Sequence, residues 1–161
     1  MRNSERDLDA FLLESVQNKT PLQNTTPEEK KNLGLVLNAY HILLECRKIE
    51  TQFHEFFSRD LKVEKNFELA WTYEDTLQYG KKMLALYERV QFLPFVFLIS
   101  SRNNYVTAQF NERFYQQGKT GEVLVAAYQF TAIFHINEEG KINHIIETAC
   151  EDPSVRPPSV Y

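Results

Sequence analysis

An α+β fold, with helices packed on one face of a curved antiparallel sheet, is what this sequence predicts, and three observations carry the prediction. Helical stripes dominate up to about Tyr87, and β-rich segments dominate from Gln91 onward. The stretch from Gly121 to Cys150 reads as a long strand, a tight turn and a returning strand, with Val, Ile, Tyr, Phe and Thr filling both arms. Asn137, Glu138, Glu139 and Gly140 supply the turn, Gly140 reaching positive φ without steric cost. The third observation is size. A chain of 161 residues fits one domain, and such a chain buries roughly 70% of the surface its unfolded form exposes.

The elements follow in order. Ser4 with Asp7, then Leu8, Phe11, Leu12 and Val16 at helical spacing, predict an amphipathic helix over residues 4 to 17, followed by a linker to Thr26. Thr26 caps the next helix, Pro27 suits its first position and Glu29 completes a T-x-x-E box. Leu33, Val36, Leu37, Tyr40 and Leu44 form its stripe to about Glu45. A short helix carrying Ile49, Phe53, Phe56 and Phe57 leads through Asp60 into a strand from Leu61 to Phe67. Thr72 with Asp75 starts the next helix, whose stripe is Tyr73, Leu77, Gly80, Leu84 and Tyr87.

Four strands then follow, joined by hairpins. Gln91 to Ser101 contains Pro94, which implies an edge strand or a bulge, and Tyr105 to Gln116 is its neighbour. A three-residue loop, Gly118 to Thr120, sets Phe110 beside Tyr128 and Ala108 beside Phe130. In the last hairpin, pairing Ile136 with Lys141 sets Phe130 opposite Glu147, Ala132 opposite Ile145 and Tyr128 opposite Ala149. One face is then apolar except for Glu147, and it continues through Val106, Ala108, Phe110 and Phe114. The other collects Gln129, Thr131, His135, His144 and Thr148. The Pro-containing tail from Glu151 to Tyr161 leaves the sheet as an extended segment.

Composition removes several classes of function. A net charge of −4, with no long Lys/Arg cluster, lacks the footprint that nucleic acid or an anionic membrane requires. The longest apolar run, Phe92 to Ile99, is far short of the roughly 20 residues of a membrane span. The N-terminus has no signal-peptide core, so a cytoplasmic protein is expected. Cys46 and Cys150 then stay as thiols, and neither they nor the four His show metal-ligand spacing. No phosphate loop or nucleophile elbow is present, so no cofactor and no metal are expected. Aromatic residues reach 13%, and such a core either lines a cavity for a flat apolar ligand or simply fills itself.

The helix with Tyr40, the segment FHEFFSRDLKVEKN and the hairpin FTAIFHINEEGKINHIIETA together resemble the nuclear transport factor 2-like superfamily, in its SnoaL-like and ketosteroid isomerase-like branches. The resemblance covers residues 33 to 150, leaving residues 1 to 32 as an N-terminal extension and 151 to 161 as a tail. It implies a cone-shaped fold, a pocket between sheet and helices, and dimerisation through the outer sheet face. It also places Glu147 where SnoaL-like cyclases carry an acid/base carboxylate, and Tyr40 where ketosteroid isomerases carry an oxyanion donor. The family's first-strand base falls on Glu64 or on Lys65, depending on the alignment. Its second oxyanion donor falls on Ala132, which has no side chain to donate, and its closing-strand His is replaced by Ile145.

Candidate catalytic residues are therefore Glu147, Tyr40 and Glu64. Candidate ligand contacts are Trp71 and Tyr73 at the pocket mouth, with Phe110, Tyr128, Phe130, Ala132, Phe134 and Ile145 on the apolar face. A carboxylate in apolar surroundings has its charged form disfavoured, so Glu147 is expected to titrate high unless it pairs with Lys65 or Lys81 or sits at the open mouth. Two functions stand: a small-molecule site with cofactor-independent acid/base chemistry of the isomerase, cyclase or dehydratase type, or a non-catalytic dimerisation or protein-interaction module. A cavity containing Glu147 favours the first. A cavity filled by Phe110, Phe130 and Phe134 favours the second.

Overall fold

The computed structural model describes residues 26–100, 104–152 and 155; the helix expected over residues 4 to 17 and most of the tail lie outside the described residues. Helix α1, Pro27–Tyr40, starts as its sequence dictates. The Thr26 hydroxyl accepts the Glu29 N–H at 3.2 Å while the Glu29 carboxylate accepts the Thr26 N–H at 2.7 Å. Its stripe of Leu33, Val36, Leu37 and Ala39 is buried. Beyond Tyr40 the chain winds on through His41–Glu45 as a wider π turn, in which the Cys46 N–H donates to the His41 carbonyl. The turn carries Glu45 to 2.5 Å from His41 Nδ1, and its other carboxylate oxygen accepts the Phe92 N–H at 2.7 Å. A helix end and a strand are thereby tied together.

Helix α2 is Ile49–Phe56 and strand β1 is Phe57–Lys65. The strand starts four residues before its expected position because Phe57 is already extended and pairs with Ile142, about 85 positions along the chain, a contact without local signal. Asn66 and Phe67 take positive φ, 50° and 71°, turning the chain into β2, Glu68–Thr72. This strand was not expected. It lies on the sheet edge with most of its residues exposed, so it lacks the alternation that marks a half-buried strand. Helix α3, Tyr73–Leu86, opens with the Thr72 and Asp75 capping box. A Cβ on its Gly80 would stand 2.2 Å from Ile49 Cδ1, so glycine lets α3 lie close on α2.

Strands β3 (Arg89–Ser100), β4 (Tyr105–Gly118), β5 (Gly121–Ile136) and β6 (Ile142–Glu151) complete a six-stranded curved sheet in the order β2-β1-β6-β5-β4-β3. Pro94 sits on the edge strand at a bulge, as its missing N–H requires. The sheet is mixed, since β1 and β6 run parallel. Both hairpin registers differ by two residues from those expected. Phe130 pairs with Ala149 and Ala132 with Glu147, while Phe110 pairs with Phe130 and Ala108 with Ala132. Gly118 pairs with Gly121 across a two-residue turn, and bulges at Phe114/Tyr115 and His135/Ile136 absorb the difference. A shift of two preserves the face. Val106, Ala108, Phe110, Phe114, Phe130, Ala132 and Phe134 are all buried against the helices.

Candidate functional site

The concave face and the helices do not fill the space between them. Its deep part is closed by rings: Tyr40 lies 4.7 Å from Phe92, 5.2 Å from Phe110 and 5.9 Å from Phe134 between centroids, and Phe110 lies 4.4 Å from Phe130. Toward the wide end a cavity of about 250 Å³ remains. Leu43, Leu44, Ile49, Phe53 and Met83 of the helical layer line it, with Val63, Phe130 and Ile145 of the sheet. Seven of its described wall residues carry a charge or a hydroxyl: Tyr40, Lys65, Thr76, Tyr79, Glu112, Tyr128 and Glu147.

Strand periodicity explains how the charges arrive there. Lys65 is the last residue of β1 and the neighbour of Glu147 in the parallel ladder, so both side chains enter from one face. The Lys65 ammonium is 3.1 Å from Glu147 Oε1 and lies 3.7 Å above the Trp71 ring and 5.0 Å from that of Tyr79. Trp71 and Tyr79 are themselves packed at 4.4 Å. The cation is thus held by one carboxylate and two aromatic faces. Of the alternatives the sequence left open for Glu147, pairing with Lys65 is the one the structure shows. Glu147→Gln should lower stability by about 1 kcal/mol, because a half-buried ammonium loses its counter-ion. Lys65→Met in the same background should recover most of the loss, as a double-mutant thermal melt would show.

Glu112 was not among the candidates. It lies on β4 in the same alternation as Val106, Ala108, Phe110 and Phe114, and that spacing was the signal that identifies it. It is half-buried on the cavity wall, and no described residue forms a hydrogen bond or ion pair with its carboxyl. Burial first, then the Glu147 charge, push its pKa up to about 8, with Lys65 pulling in the opposite direction. The same surroundings hold the Tyr40 hydroxyl well above its ordinary value, through burial and then through Glu147 and Glu112. Burial, followed by Glu112, likewise pushes the Tyr79 phenol up to about 12. Both phenols are therefore neutral O–H donors at any ordinary pH.

The other sequence candidates divide. Trp71, Tyr128, Phe130 and Ile145 line the cavity. Phe110, Ala132 and Phe134 are buried beneath it, 2%, 0% and 0% exposed, and serve as its floor and core. Tyr73 is also buried, edge-on to Phe53 at 4.8 Å and under the Arg59 guanidinium, away from the cavity wall. Glu64 points to the outer face, where its Oε1 is 2.8 Å from His144 Nε2. Of the two residues between which the sequence left the first-strand position open, Lys65 is the one at the cavity. The outer face also brings Gln109 to Thr131 at 3.0 Å and leaves Ile133 exposed.

The sequence matches no protein-family model and no curated protein. Solved structures share its fold. A protein named as a SnoaL-like polyketide cyclase, from Shewanella putrefaciens, superposes with a TM-score of 0.60 at 13% identity over 88% of this chain and 88% of its own. AclR from Streptomyces galilaeus, named as a hydroxylase, gives 0.62 at 13% identity, with 77% of this chain and 81% of that chain covered. A nuclear transport factor 2-like protein of unknown function, from Cytophaga hutchinsonii, gives 0.53 at 12% identity over 83% and 96%. The chain has the nuclear transport factor 2-like fold. Among the described residues no helix is long and apolar enough to cross a membrane.

Proposed function

We propose that this nuclear transport factor 2-like fold is a small-molecule-binding domain whose cavity performs cofactor-independent proton transfer, of the isomerase, cyclase or dehydratase kind. One observation carries the reading: Tyr40, Glu112 and Glu147 converge on a single cavity whose remaining wall is largely apolar. Each has a distinct part. Glu147, positioned by the Lys65 ammonium, abstracts a proton beside a substrate carbonyl. Tyr40, kept neutral by its surroundings, donates its O–H to the oxygen on which charge develops. Glu112 adds a second carboxyl to the wall to orient the substrate, while Glu147 itself returns the proton to the new position, serving as base and then as acid. The open space beside Glu147 supports this reading over a purely structural interaction module, since Phe110 and Phe134 fill only the deep end. Structural neighbours named as polyketide cyclases support it by fold alone.

The test is exchange of α-hydrogens of small aryl ketones for deuterium, followed by NMR. Wild type should exceed the buffer rate, and Glu147→Gln and Tyr40→Phe should each lose on the order of 10²-fold or more. A wild-type rate equal to buffer across the panel overturns the catalytic reading. So does full activity in the variants.

A further inference from the structure

We propose that the ligand this cavity is built for carries a protonated amine on a small apolar body, and that Glu112 receives the ammonium. The proposal rests on the small-molecule reading of the same cavity and names the ligand class. Three features lead to it. Among the described residues, the cavity wall holds two carboxylates, Glu112 and Glu147, against one cation, Lys65. That cation is already committed to Glu147 and to the Trp71 and Tyr79 rings, which leaves Glu112 as the unmatched group. A half-buried carboxyl that lines a largely apolar cavity, with no hydrogen-bond partner among the described residues, has its acceptor oxygens turned to the space a ligand would take.

The rest of the wall suits a cation that also has an apolar body. Tyr40, Tyr79 and Tyr128 bring aromatic rings with neutral phenols to the same space, and aromatic rings attract a desolvated ammonium. A carboxylate ligand would instead meet Glu112 and Glu147, with no second cation among the described wall residues to bind it. Size sets the body. An apolar cavity of about 150 Å³ accommodates benzene, so about 250 Å³ admits one ring with a short arm.

The groups facing Glu112 determine how binding couples to protons. They are Glu147 on β6, Lys65 on β1, Tyr40 on α1, Tyr79 on α3 and Tyr128 on β5. Near pH 7 the Glu112 carboxyl retains its proton in the free protein, because its titration is centred at about 8. When R–NH₃⁺ enters, the carboxyl releases that proton to solvent and remains as carboxylate against the ammonium. One cation is taken up and one proton leaves.

Calorimetry with three matched probes tests this: 2-phenylethylamine, neutral 2-phenylethanol and anionic 3-phenylpropanoate. The amine should bind at least tenfold more tightly than the alcohol at pH 8, and the carboxylate more weakly than either. At pH 7, titrations in buffers of different ionisation enthalpy should report release of a proton with the amine and none with the alcohol. Glu112→Gln should abolish the amine preference and the proton release while retaining alcohol binding. Alcohol binding equal to or tighter than the amine, or amine binding without proton release, overturns the amine proposal and leaves the cavity reading intact. Binding of none of the three overturns both.

Discussion

Glu112→Gln should raise thermal stability at pH 9 by roughly 5–15 °C and change it far less at pH 4.5. The direction follows from linkage. The unfolded chain ionises this carboxyl near the ordinary value of 4.5, whereas the folded protein holds the proton to about 8. Between those two values the unfolded state has released a proton that the folded state retains, so stability falls as pH rises through the window and is constant above it. At about 1.4 kcal/mol per pH unit the loss amounts to a few kcal/mol. Gln has the same shape and no ionisation, so the wild-type decline between pH 4.5 and 8 should flatten in the variant. Scanning calorimetry across pH 4.5 to 9 measures it. Parallel wild-type and variant curves would mean that Glu112 is solvated, removing its role as ammonium acceptor.

Phe110→Ala should cost about 3–5 kcal/mol, the range for deleting a fully buried ring. Phe110 is 2% exposed and packs edge-on to Phe130 at 4.4 Å and against Tyr40 at 5.2 Å, so its loss removes contacts on several sides at once. A melting temperature lower by about 10 °C is the expected result. Tyr40 would also lose the neighbour that fixes its ring, so the variant should reduce deuterium exchange even though Phe110 does not line the cavity. A loss below about 1 kcal/mol would show that the deep end is not packed as described, and that the ring is a ligand contact instead.

Residue pattern alone determined which groups share a face. Alternation along Val106 to Phe114 and along the closing hairpin placed Ala108, Phe110, Phe130 and Glu147 together on the concave side, and a two-residue error in both registers left that assignment untouched. Helix starts at Thr26 and Thr72 were equally legible, because a capping box is local chemistry within four residues. The same alternation contained Glu112, between Phe110 and Phe114. Nothing local marks it out, because a carboxylate in a strand reads as solvent-facing until its surroundings are known. Tertiary structure decided the rest. The parallel pairing of β1 with β6 joins residues about 80 positions apart, and only that pairing makes Lys65, rather than Glu64, the partner of Glu147. The bulges that set the registers, and the ring packing that closes the deep end while leaving the wide end open, depend on contacts between elements distant in the chain. Local spacing carries no term for such contacts, since their energy exists only once the sheet has curved around the helices.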